Sequence, residues 1–370
     1  MKIILSKEEL LNGINIVSKA VPSHSNMQVL ECILIKAHDN TITLTGNDGE
    51  FGIETELEGE ILKEGKVALA AKLFSEIIRK YPDNQYITIE VENNFTTHIL
   101  SSNIKTNIKG QEGNDFTPLP NIKRTDSFLL SELSLKDVIR QVIFCIGENN
   151  NNKIITSVLF KIKGDELNVV ALDGFRIGYR KILLKNNYND VEIIIPGKSL
   201  NEMSKILNND DNNDVVIYYE KNHILFEIGK TRVVSNTVEG EYFDYELLFS
   251  KDYETKVTLN KKELLDSIDR TTVMIREGEV KPVLFEIADN NLNLSINTNT
   301  GENNQIIECV KSGKDIDIAL RPKFMIDVLK VIDDEEIDIY MTNSKSPCII
   351  KNESEDYRYF ILPVNFVKDR

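Results

Sequence analysis

Apolar residues recur every three or four positions in six short segments of this chain, and this period predicts six amphipathic helices. Three of them begin near residues 7, 135 and 261, where the apolar anchors Leu10, Val138 and Leu264 lie 128 and 126 residues apart. The other three helices are expected at about 71–80, 197–207 and 321–332. The helical pattern therefore occurs twice in each third of the chain.

Between the helices, apolar and polar positions alternate with a period of two, which predicts β-strands. The strands that follow the first helix of each third are expected at 41–44, 167–170 and 292–296, and those that follow the second helix at 86–91, 215–219 and 337–341. Each third reads helix, strands, helix, strands. This order predicts an α+β fold in which two helices lie on one face of an antiparallel sheet.

Small polar residues precede the first helices and are expected to act as N-caps. They are Ser6, Ser134 and Asn260, each with an acid three positions later, as in a capping box. The second helices repeat a lysine and, four residues later, an acid; these residues are Lys72, Lys198 and Lys323, then Glu76, Glu202 and Asp327.

A chain of 370 residues that repeats three times is expected to form three similar domains of about 120 residues. Polar connectors place these domains at 1–121, 127–248 and 251–370. Threefold repetition is more typical of a ring or an array than of an enzyme.

Composition adds limits on location. The chain has no apolar run of the roughly 20 residues that would span a bilayer, and its N-terminus lacks a signal-peptide pattern. Its four cysteines (Cys32, Cys145, Cys309 and Cys348) are widely spaced, which favours reduced, partly buried thiols. These features predict a cytoplasmic protein.

Charge is distributed unevenly along the chain. The net charge is −15, which argues against general nucleic-acid binding, but the six helical segments carry 16 Lys/Arg and 9 Asp/Glu, a net of +7. The remainder is therefore at −22. Two interpretations remain open: the helices form a basic surface that faces a polyanion, or they simply carry lysines on solvated faces.

Three motifs on this repeat resemble those of one family. They are DFTPLP at 115–120, VALDGFRI at 170–177 and YFILPV at 359–364. In this order and spacing they resemble the bacterial sliding clamps, the β subunit of the replicative DNA polymerase. The resemblance implies the DNA clamp fold, with each chain forming half of a ring. Two chains would join head to tail as a homodimer that encircles double-stranded DNA without reading its sequence and tethers the polymerase for processivity, with no catalysis and no cofactor.

The resemblance also implies three sets of functional residues. Contacts to DNA would fall at His24, Lys72, Asn149, Lys153 and Ile154. A pocket for peptides of the replicative polymerase, the clamp loader and other clamp-binding proteins would be lined by Ile155, Leu172, Gly174, Phe175, Arg176, Ile177, Phe243, Leu247, Leu248, Phe324, Ser346, Phe360, Ile361, Leu362, Pro363 and Val364. The dimer interface would include Asn103, Thr106, Ile108, Met274 and Ile275.

Some of these residues depart from the family pattern. Phe243 stands where proline is common and Leu247 where arginine is frequent, so we expect an altered preference for partner peptides. Thr106 replaces a frequent phenylalanine, which predicts a weaker dimer interface. His24 stands in place of arginine, so its contribution near neutral pH is expected to be small.

An enzymatic alternative rests on two acidic clusters, at 210–211 and 333–336, which could hold magnesium in a nucleic-acid enzyme. Both fall at a helix-to-strand turn of the repeat, where a solvated turn is the simpler interpretation. The histidines and cysteines lack metal-ligand spacing, and the chain has neither a Gly-rich phosphate loop nor a nucleophile elbow. A repeat scaffold that binds only proteins and forms no ring is the third possibility.

Overall fold

The computed structural model describes residues 1–148, 152–249, 253–276 and 279–366. Its six helices are α1 (Lys7–Val17), α2 (Ala71–Lys80), α3 (Glu132–Val142), α4 (Gly197–Ser204), α5 (Lys261–Thr272) and α6 (Pro322–Val331). All six lie where the apolar period predicts a helix.

The strands of the first two thirds are β1 (Lys2–Ser6), β2 (Cys32–His38), β3 (Thr41–Asn47), β4 (Phe51–Leu57), β5 (Glu60–Lys63), β6 (Gly65–Ala70), β7 (Tyr86–Val91), β8 (Thr96–Ser101), β9 (Ile104–Lys109), β10 (Gln111–Glu112), β11 (Ser127–Ser131), β12 (Ser157–Leu172), β13 (Arg176–Pro196), β14 (Asp214–Tyr219), β15 (His223–Ile228) and β16 (Thr231–Asn236). Those of the last third are β17 (Thr255–Asn260), β18 (Val283–Ala288), β19 (Asn291–Thr298), β20 (Gly301–Glu308), β21 (Val310–Gly313), β22 (Ile316–Leu320), β23 (Glu336–Met341), β24 (Cys348–Lys351) and β25 (Tyr357–Ile361).

The chain forms two compact units. Unit 1 comprises 1–136 and 198–237, and unit 2 comprises 137–197 and 238–370. Unit 1 contains a five-stranded sheet in the order β5-β1-β7-β8-β9 and a nine-stranded sheet in the order β10-β6-β2-β3-β4-β16-β15-β14-β11. In the nine-stranded sheet, β4 of the first third pairs directly with β16 of the second third, so one sheet continues across two repeats.

Unit 2 contains a seven-stranded sheet in the order β12-β13-β25-β24-β23-β17-β21 and a four-stranded sheet in the order β20-β19-β18-β22. Here β13 of the second third pairs with β25 of the third. Strand pairs in both units are antiparallel, as predicted, because hairpins rather than crossovers connect most neighbours.

Each unit has a core formed where helices cover a sheet. In unit 1, Leu10 and Ile14 of α1 and Phe74 of α2 are fully buried. In unit 2, α5 and α6 bury Leu264, Ile268 and Met325 in one apolar cluster with the strands of the last third. This is the arrangement of two helices on an antiparallel sheet that the alternating periods predict.

Two of the three predicted N-caps are confirmed. Ser6 Oγ accepts a hydrogen bond from the Glu9 amide at 3.1 Å, and Asn260 Oδ1 accepts one from Glu263 at 3.0 Å. The prediction for Ser134 is wrong. The helix α3 begins earlier, at Glu132, and Ser131 Oγ accepts from the amide of Ser134 at 3.2 Å.

The four cysteines are free thiols, as predicted, and all are buried. Burial raises the pKa of the Cys348 thiol to about 12, because the thiolate would be poorly solvated there. Among the described residues, no helix is both long and apolar enough to cross a membrane.

Candidate functional site

One lysine in the N-terminal half of each first helix forms a hydrogen bond inside the protein. These lysines donate to backbone carbonyls at or just beyond the end of the second helix of the same third, at 2.5, 2.9 and 2.6 Å; the pairs are Lys7 with Tyr81, Lys136 with Leu207 and Lys261 with Ile332. A cation here satisfies helix carbonyls that lack a partner and interacts favourably with the helix dipole. Three of the basic residues counted in the helices therefore have a structural role.

Other helical cations form ion pairs. Lys198 lies 2.8 Å from Asp48 in unit 1, and Lys205, the residue after α4, lies 2.6 Å from Glu202 of that helix. In unit 2, Arg140 Nη2 lies 3.0 Å from Asp333. The basic surface expected from the sequence is thus smaller than its residue count suggests.

Three of the exposed basic residues of unit 1 lie on α2. Lys72, Arg79 and Lys80 are solvent-exposed on this helix, and the predicted DNA contact Lys72 is among them. His24 is exposed in the segment between α1 and β2. These side chains are accessible to an external anion.

The predicted DNA contacts of unit 2 differ in their surroundings. Lys153 is exposed, whereas Ile154 is half-buried and packs against an apolar cluster that includes Leu159 and Tyr245. Asn149 lies outside the described residues. An isoleucine side chain has no polar group that could bind phosphate. The packing of Ile154 therefore indicates a structural role.

The predicted peptide pocket lies entirely in unit 2 and is built around a tight turn between β12 and β13. Asp173 Oδ1 accepts from the amides of Phe175 and Arg176, at 2.9 and 3.0 Å. Gly174 has φ of +87°, a conformation that L side chains rarely adopt. The turn leaves the Phe175 ring 48% exposed.

Arg176 fixes the base of this turn. Its guanidinium donates to Asp173 at 2.9 Å, to Asp327 of α6 at 2.7 Å and to the Phe144 carbonyl at 2.5 Å. Burial lowers the pKa of this guanidinium, but its hydrogen bond to Asp327 and the nearby charges outweigh burial, so its pKa is raised. Arg176 is therefore a buried cation that ties β13 to α6.

A second arginine, Arg321, contacts the exposed ring of this turn, and the sequence prediction did not name it. The Arg321 guanidinium lies 4.4 Å from the centre of the Phe175 ring and 5.3 Å from that of Phe324. Arg176 approaches the Phe324 ring at 4.4 Å. Such cation–π contacts orient the rings. Arg321 directly precedes Pro322, the first residue of α6, and this position was the sequence signal that could have identified it.

The last strand carries further residues of the predicted pocket. In β25, Phe360 is opposite Ile177 of β13, and Ile361 is opposite Arg176. Ile361 is fully buried in the core, so it supports the predicted pocket from behind, whereas Leu362 is 42% exposed. Pro363 and Val364 follow, both half-buried.

Backbone hydrogen bonds fix this terminal segment. The Leu362 amide donates to the Phe175 carbonyl at 2.8 Å, and the Val364 amide donates to the Ala319 carbonyl, also at 2.8 Å. The segment is therefore attached both to the turn and to β22.

The other residues predicted for this peptide groove are mostly apolar. Leu172, Ile177 and Phe360 are buried in one cluster, against which Ile155 and Leu248 pack. At the rim, Phe243 is 50% exposed and Leu247 is 78% exposed. Ser346 is half-buried, and its amide donates to Asn343 at 2.8 Å. Exposed phenylalanine and leucine side chains beside an apolar cluster would suit an extended peptide with apolar anchors.

An aromatic cluster that the sequence prediction omitted lies behind the groove. The ring of Phe249 stacks on Phe360 with centroids 5.6 Å apart and meets Tyr179 edge-on at 4.9 Å. Burial raises the pKa of Tyr179 to about 12. The Arg358 guanidinium lies 4.1 Å from the centre of the Phe249 ring, so a cation contacts the aromatic cluster.

The residues predicted for a dimer interface lie at two separate places. Asn103 precedes β9, the outer strand of the five-stranded sheet in unit 1, while Thr106 and Ile108 lie within it. Met274 and Ile275 follow α5 in unit 2, where both pack partly against the core.

The acidic clusters are engaged in hydrogen bonds. Asp211 accepts from Ser131 at 2.6 Å, Asp333 accepts from Arg140, and Asp334 accepts from the Tyr357 hydroxyl at 2.6 Å. Within the described ranges, the one group of three close metal-ligand side chains is elsewhere, at His38, Asp39 and Glu64, and all three are exposed. The acids stabilise the helix-to-strand turns.

Sequence profiles of the three domains of the DNA polymerase III beta subunit match the chain in order. The N-terminal domain matches residues 1–120, the central domain 129–244 and the C-terminal domain 246–365. The beta sliding clamp of Bacillus subtilis is 32% identical over 382 residues, covering 98% of this chain and 99% of that protein. That of Staphylococcus epidermidis is 29% identical, with the same coverage.

Solved structures agree. A putative DNA polymerase III beta subunit from Eubacterium rectale superposes with a TM-score of 0.96 at 51% identity, over 99% of both chains. The sliding clamp from Bacillus subtilis gives a TM-score of 0.94 at 31% identity, over 99% of this chain and 100% of that one. The chain therefore belongs to the family of DNA polymerase III beta subunits, the beta sliding clamps, with three clamp domains and a non-catalytic role in DNA replication.

Proposed function

We propose that two copies of this chain close head to tail into a ring that encircles duplex DNA. The observation that carries this proposal is an open strand edge in each unit: β9 borders the five-stranded sheet of unit 1, and β20 borders the four-stranded sheet of unit 2. An unpaired edge offers a row of backbone donors and acceptors to another strand. Pairing β9 of one copy with β20 of the other would use both edges twice.

The two edges are suitable for such a contact. The outer strand β20 exposes Ile306 at 71%, and β9 exposes Ile104 at 38%, so apolar side chains accompany the free backbone. The other border of the four-stranded sheet, β22, already receives the Val364 amide on its Ala319 carbonyl. The hydroxyl of Tyr81 donates a hydrogen bond to the Thr106 hydroxyl at 3.0 Å. This bond holds Thr106, which replaces a frequent phenylalanine, against the sheet of its own chain.

Duplex DNA carries about one negative charge per 1.7 Å of its axis. Diffuse contacts from exposed cations such as Lys72, Arg79, Lys80 and Lys153 would attract the phosphates without reading bases, which permits sliding. Since many helical cations serve internal contacts, this attraction is expected to be modest. Retention would then depend on closure of the ring, and the acidic remainder of the chain would repel DNA from other surfaces.

We further propose that the groove of unit 2 recruits partners. Phe175, Leu247 and Leu362 are exposed beside an apolar cluster, so a peptide with leucine and phenylalanine side chains could bury them. The replicative polymerase, the clamp loader and other clamp-binding proteins would share this groove, and the ring would tether them to DNA. Replacing Phe175 with alanine should weaken such a peptide, whereas replacing Val280, which is 71% exposed elsewhere, should not.

For the domain boundaries we propose 1–121, 127–248 and 251–370, with polar connectors between them. We also propose that the protein acts in the cytoplasm. We propose no cofactor for this protein.

Light scattering tests the dimer. The expected species has twice the chain mass of 42.2 kDa. Ile306→Asp should convert it to single chains, because a carboxylate would be buried in the new strand pair. Val310→Asp is the matched control, since Val310 is also 71% exposed and lies on β21, outside the proposed interface. A wild-type protein that remains a single chain at micromolar concentration would refute the ring.

A further inference from the structure

A recess of about 380 Å³ lies in unit 1, between the nine-stranded sheet and residues 113–124, which connect β10 to β11. Its apolar lining comes from both sides: Leu34, Leu225 and Val234 belong to the sheet, and Phe116 and Ile122 to the connecting segment. A recess of this volume can hold one large side chain of a ligand together with adjacent polar groups of that ligand. The recess is separate from the groove in unit 2.

The polar lining of this recess is cationic in a chain whose net charge is −15. Lys36, Lys66, Arg124 and Arg232 line it together with a single acid, Glu54. Two of these cations are neutralised. Arg232 pairs with Glu54, and Arg124 pairs with Glu227 at 2.6 Å.

The other two cations, Lys36 and Lys66, have no ion-pair partner in the part of the chain that the structure describes. They lie directly opposite each other on the antiparallel strands β2 and β6. Like charges in this arrangement are destabilising, and a protein tends to keep such a locally unfavourable pair where function requires it. A carboxylate placed between the two ammonium groups would relieve their repulsion.

The connecting segment is held firmly over the sheet. Phe116 and Ile122 are buried at its two ends. A Cβ on Gly113 would lie 2.7 Å from Lys66 Cγ, so its backbone packs directly on that lysine. Asn47 Nδ2 donates to the Thr117 carbonyl at 3.1 Å. The recess is therefore preformed, and a ligand would not have to order it.

We propose that this recess binds a short acidic peptide segment of a partner protein, with carboxylates between Lys36 and Lys66 and an adjacent leucine or phenylalanine in the apolar part. Charge complementarity selects this occupant. The cationic pair requires an anion, while the apolar lining requires a side chain that a bare phosphate lacks. The site rests on unit 1 alone and depends neither on the groove nor on ring closure.

The probe is a capped tetrapeptide, Asp-Leu-Asp-Phe, titrated into the full chain with labelled Ile, Leu and Val methyl groups and followed by NMR. Methyl signals of Ile122, Leu225 and Val234 should shift. The Asn-Leu-Asn-Phe peptide should bind at least about tenfold more weakly. Combining Lys36→Gln with Lys66→Gln should weaken the acidic peptide by a similar factor, whereas Lys63→Gln, an exposed lysine on β5, should leave binding within about twofold.

A second measurement separates binding from folding. Lys66→Glu places a carboxylate opposite Lys36, so it should raise the Tm while it abolishes the shifts that the peptide causes in the methyl signals around the recess. The proposal is overturned if the methyl signals around the recess do not shift, if the amide peptide binds as well as the acidic one, or if the double variant binds normally. Stronger shifts of the same methyl signals by an oligothymidylate would also overturn it, in favour of a nucleic-acid site.

Discussion

The Arg176 guanidinium and the Asp327 carboxylate are 2.7 Å apart although 151 residues separate them in the chain. Asp327 is the third member of the repeated helix acids, after Glu76 and Glu202, and the structure gives it a partner from the preceding repeat. The pair joins the turn that carries Phe175 to the helix that carries Phe324. Its integrity should therefore control both stability and the shape of the groove.

Replacing Arg176 with alanine should destabilise unit 2 by about 2–3 kcal/mol, because charged hydrogen bonds are lost and two carboxylates lose their partner. Urea unfolding followed by circular dichroism measures this change. Arg180→Ala is the matched control. Arg180 is half-buried on the same strand, and we expect a loss below about 1 kcal/mol there. Equal losses for the two variants would contradict the role assigned to Arg176.

The N-cap of α3 provides a test of the corrected helix start. Ser131→Ala should cost about 1 kcal/mol, since the amide of Ser134 loses its acceptor and Asp211 loses a donor. Ser134→Ala keeps that cap and should cost less than half as much. Comparison of the two urea midpoints decides between residue 131 and residue 134 as the cap.

Local patterns were sufficient to predict the six helices and the strands at 86–91 and 337–341, because each depends on periods within a few residues. The threefold repeat was visible because these local patterns recur along the chain. The continuous sheets were not predictable in this way. The pairing of β4 with β16, and of β13 with β25, joins residues more than 150 positions apart. The contact of Arg176 with Asp327 was not predictable for the same reason, because 151 residues separate them in the chain.

The basic surface illustrates a second limit. Composition counts Lys7 and Lys72 alike, yet Lys7 is buried against the Tyr81 carbonyl and Asp83, whereas Lys72 is exposed. Which lysine faces solvent depends on the packing of α1 against α2, which sequence alone does not state. For the groove, motif resemblance named Phe175 and Arg176, but it did not name Arg321 or Phe249, whose roles arise from ring contacts.

These two lysines should behave differently when they are replaced. Lys72→Ala should weaken DNA binding uniformly across sequences and reduce the salt slope by about one per chain, because one phosphate contact is lost. Lys7→Ala should leave that slope unchanged but lower the Tm. Fluorescence anisotropy with duplex DNA at several salt concentrations measures the slopes. An unchanged slope for Lys72→Ala would remove this residue from the DNA-facing set.

His98 introduces a pH dependence next to the proposed dimer edge. Its Nδ1 lies 2.7 Å from Asn107 Oδ1 on β9, and its Nε2 lies 2.8 Å from Glu92. These hydrogen bonds, with that to Asn107 as the largest contribution, raise the pKa of the imidazole above its usual 6.5. Both ring nitrogens can donate only in the protonated form.

Because the folded-state pKa is raised, the stabilisation is complete below pH 6.5 and is lost as the pH rises through the folded value. The Tm difference between the wild type and His98→Gln should therefore be largest at acidic pH and shrink toward alkaline pH. Calorimetry across this range measures it, with His24→Gln as the exposed control. A difference that grows with pH would contradict this account.

Topological retention on DNA tests the ring most directly. Protein assembled on a nicked circular plasmid is separated from free protein at high salt, the plasmid is cut once with a restriction enzyme, and the bound protein is measured again. We expect the wild type to remain on the circle and to leave after the cut, since a closed ring can slide off only from an end. Equal retention on circular and linear DNA would contradict encirclement.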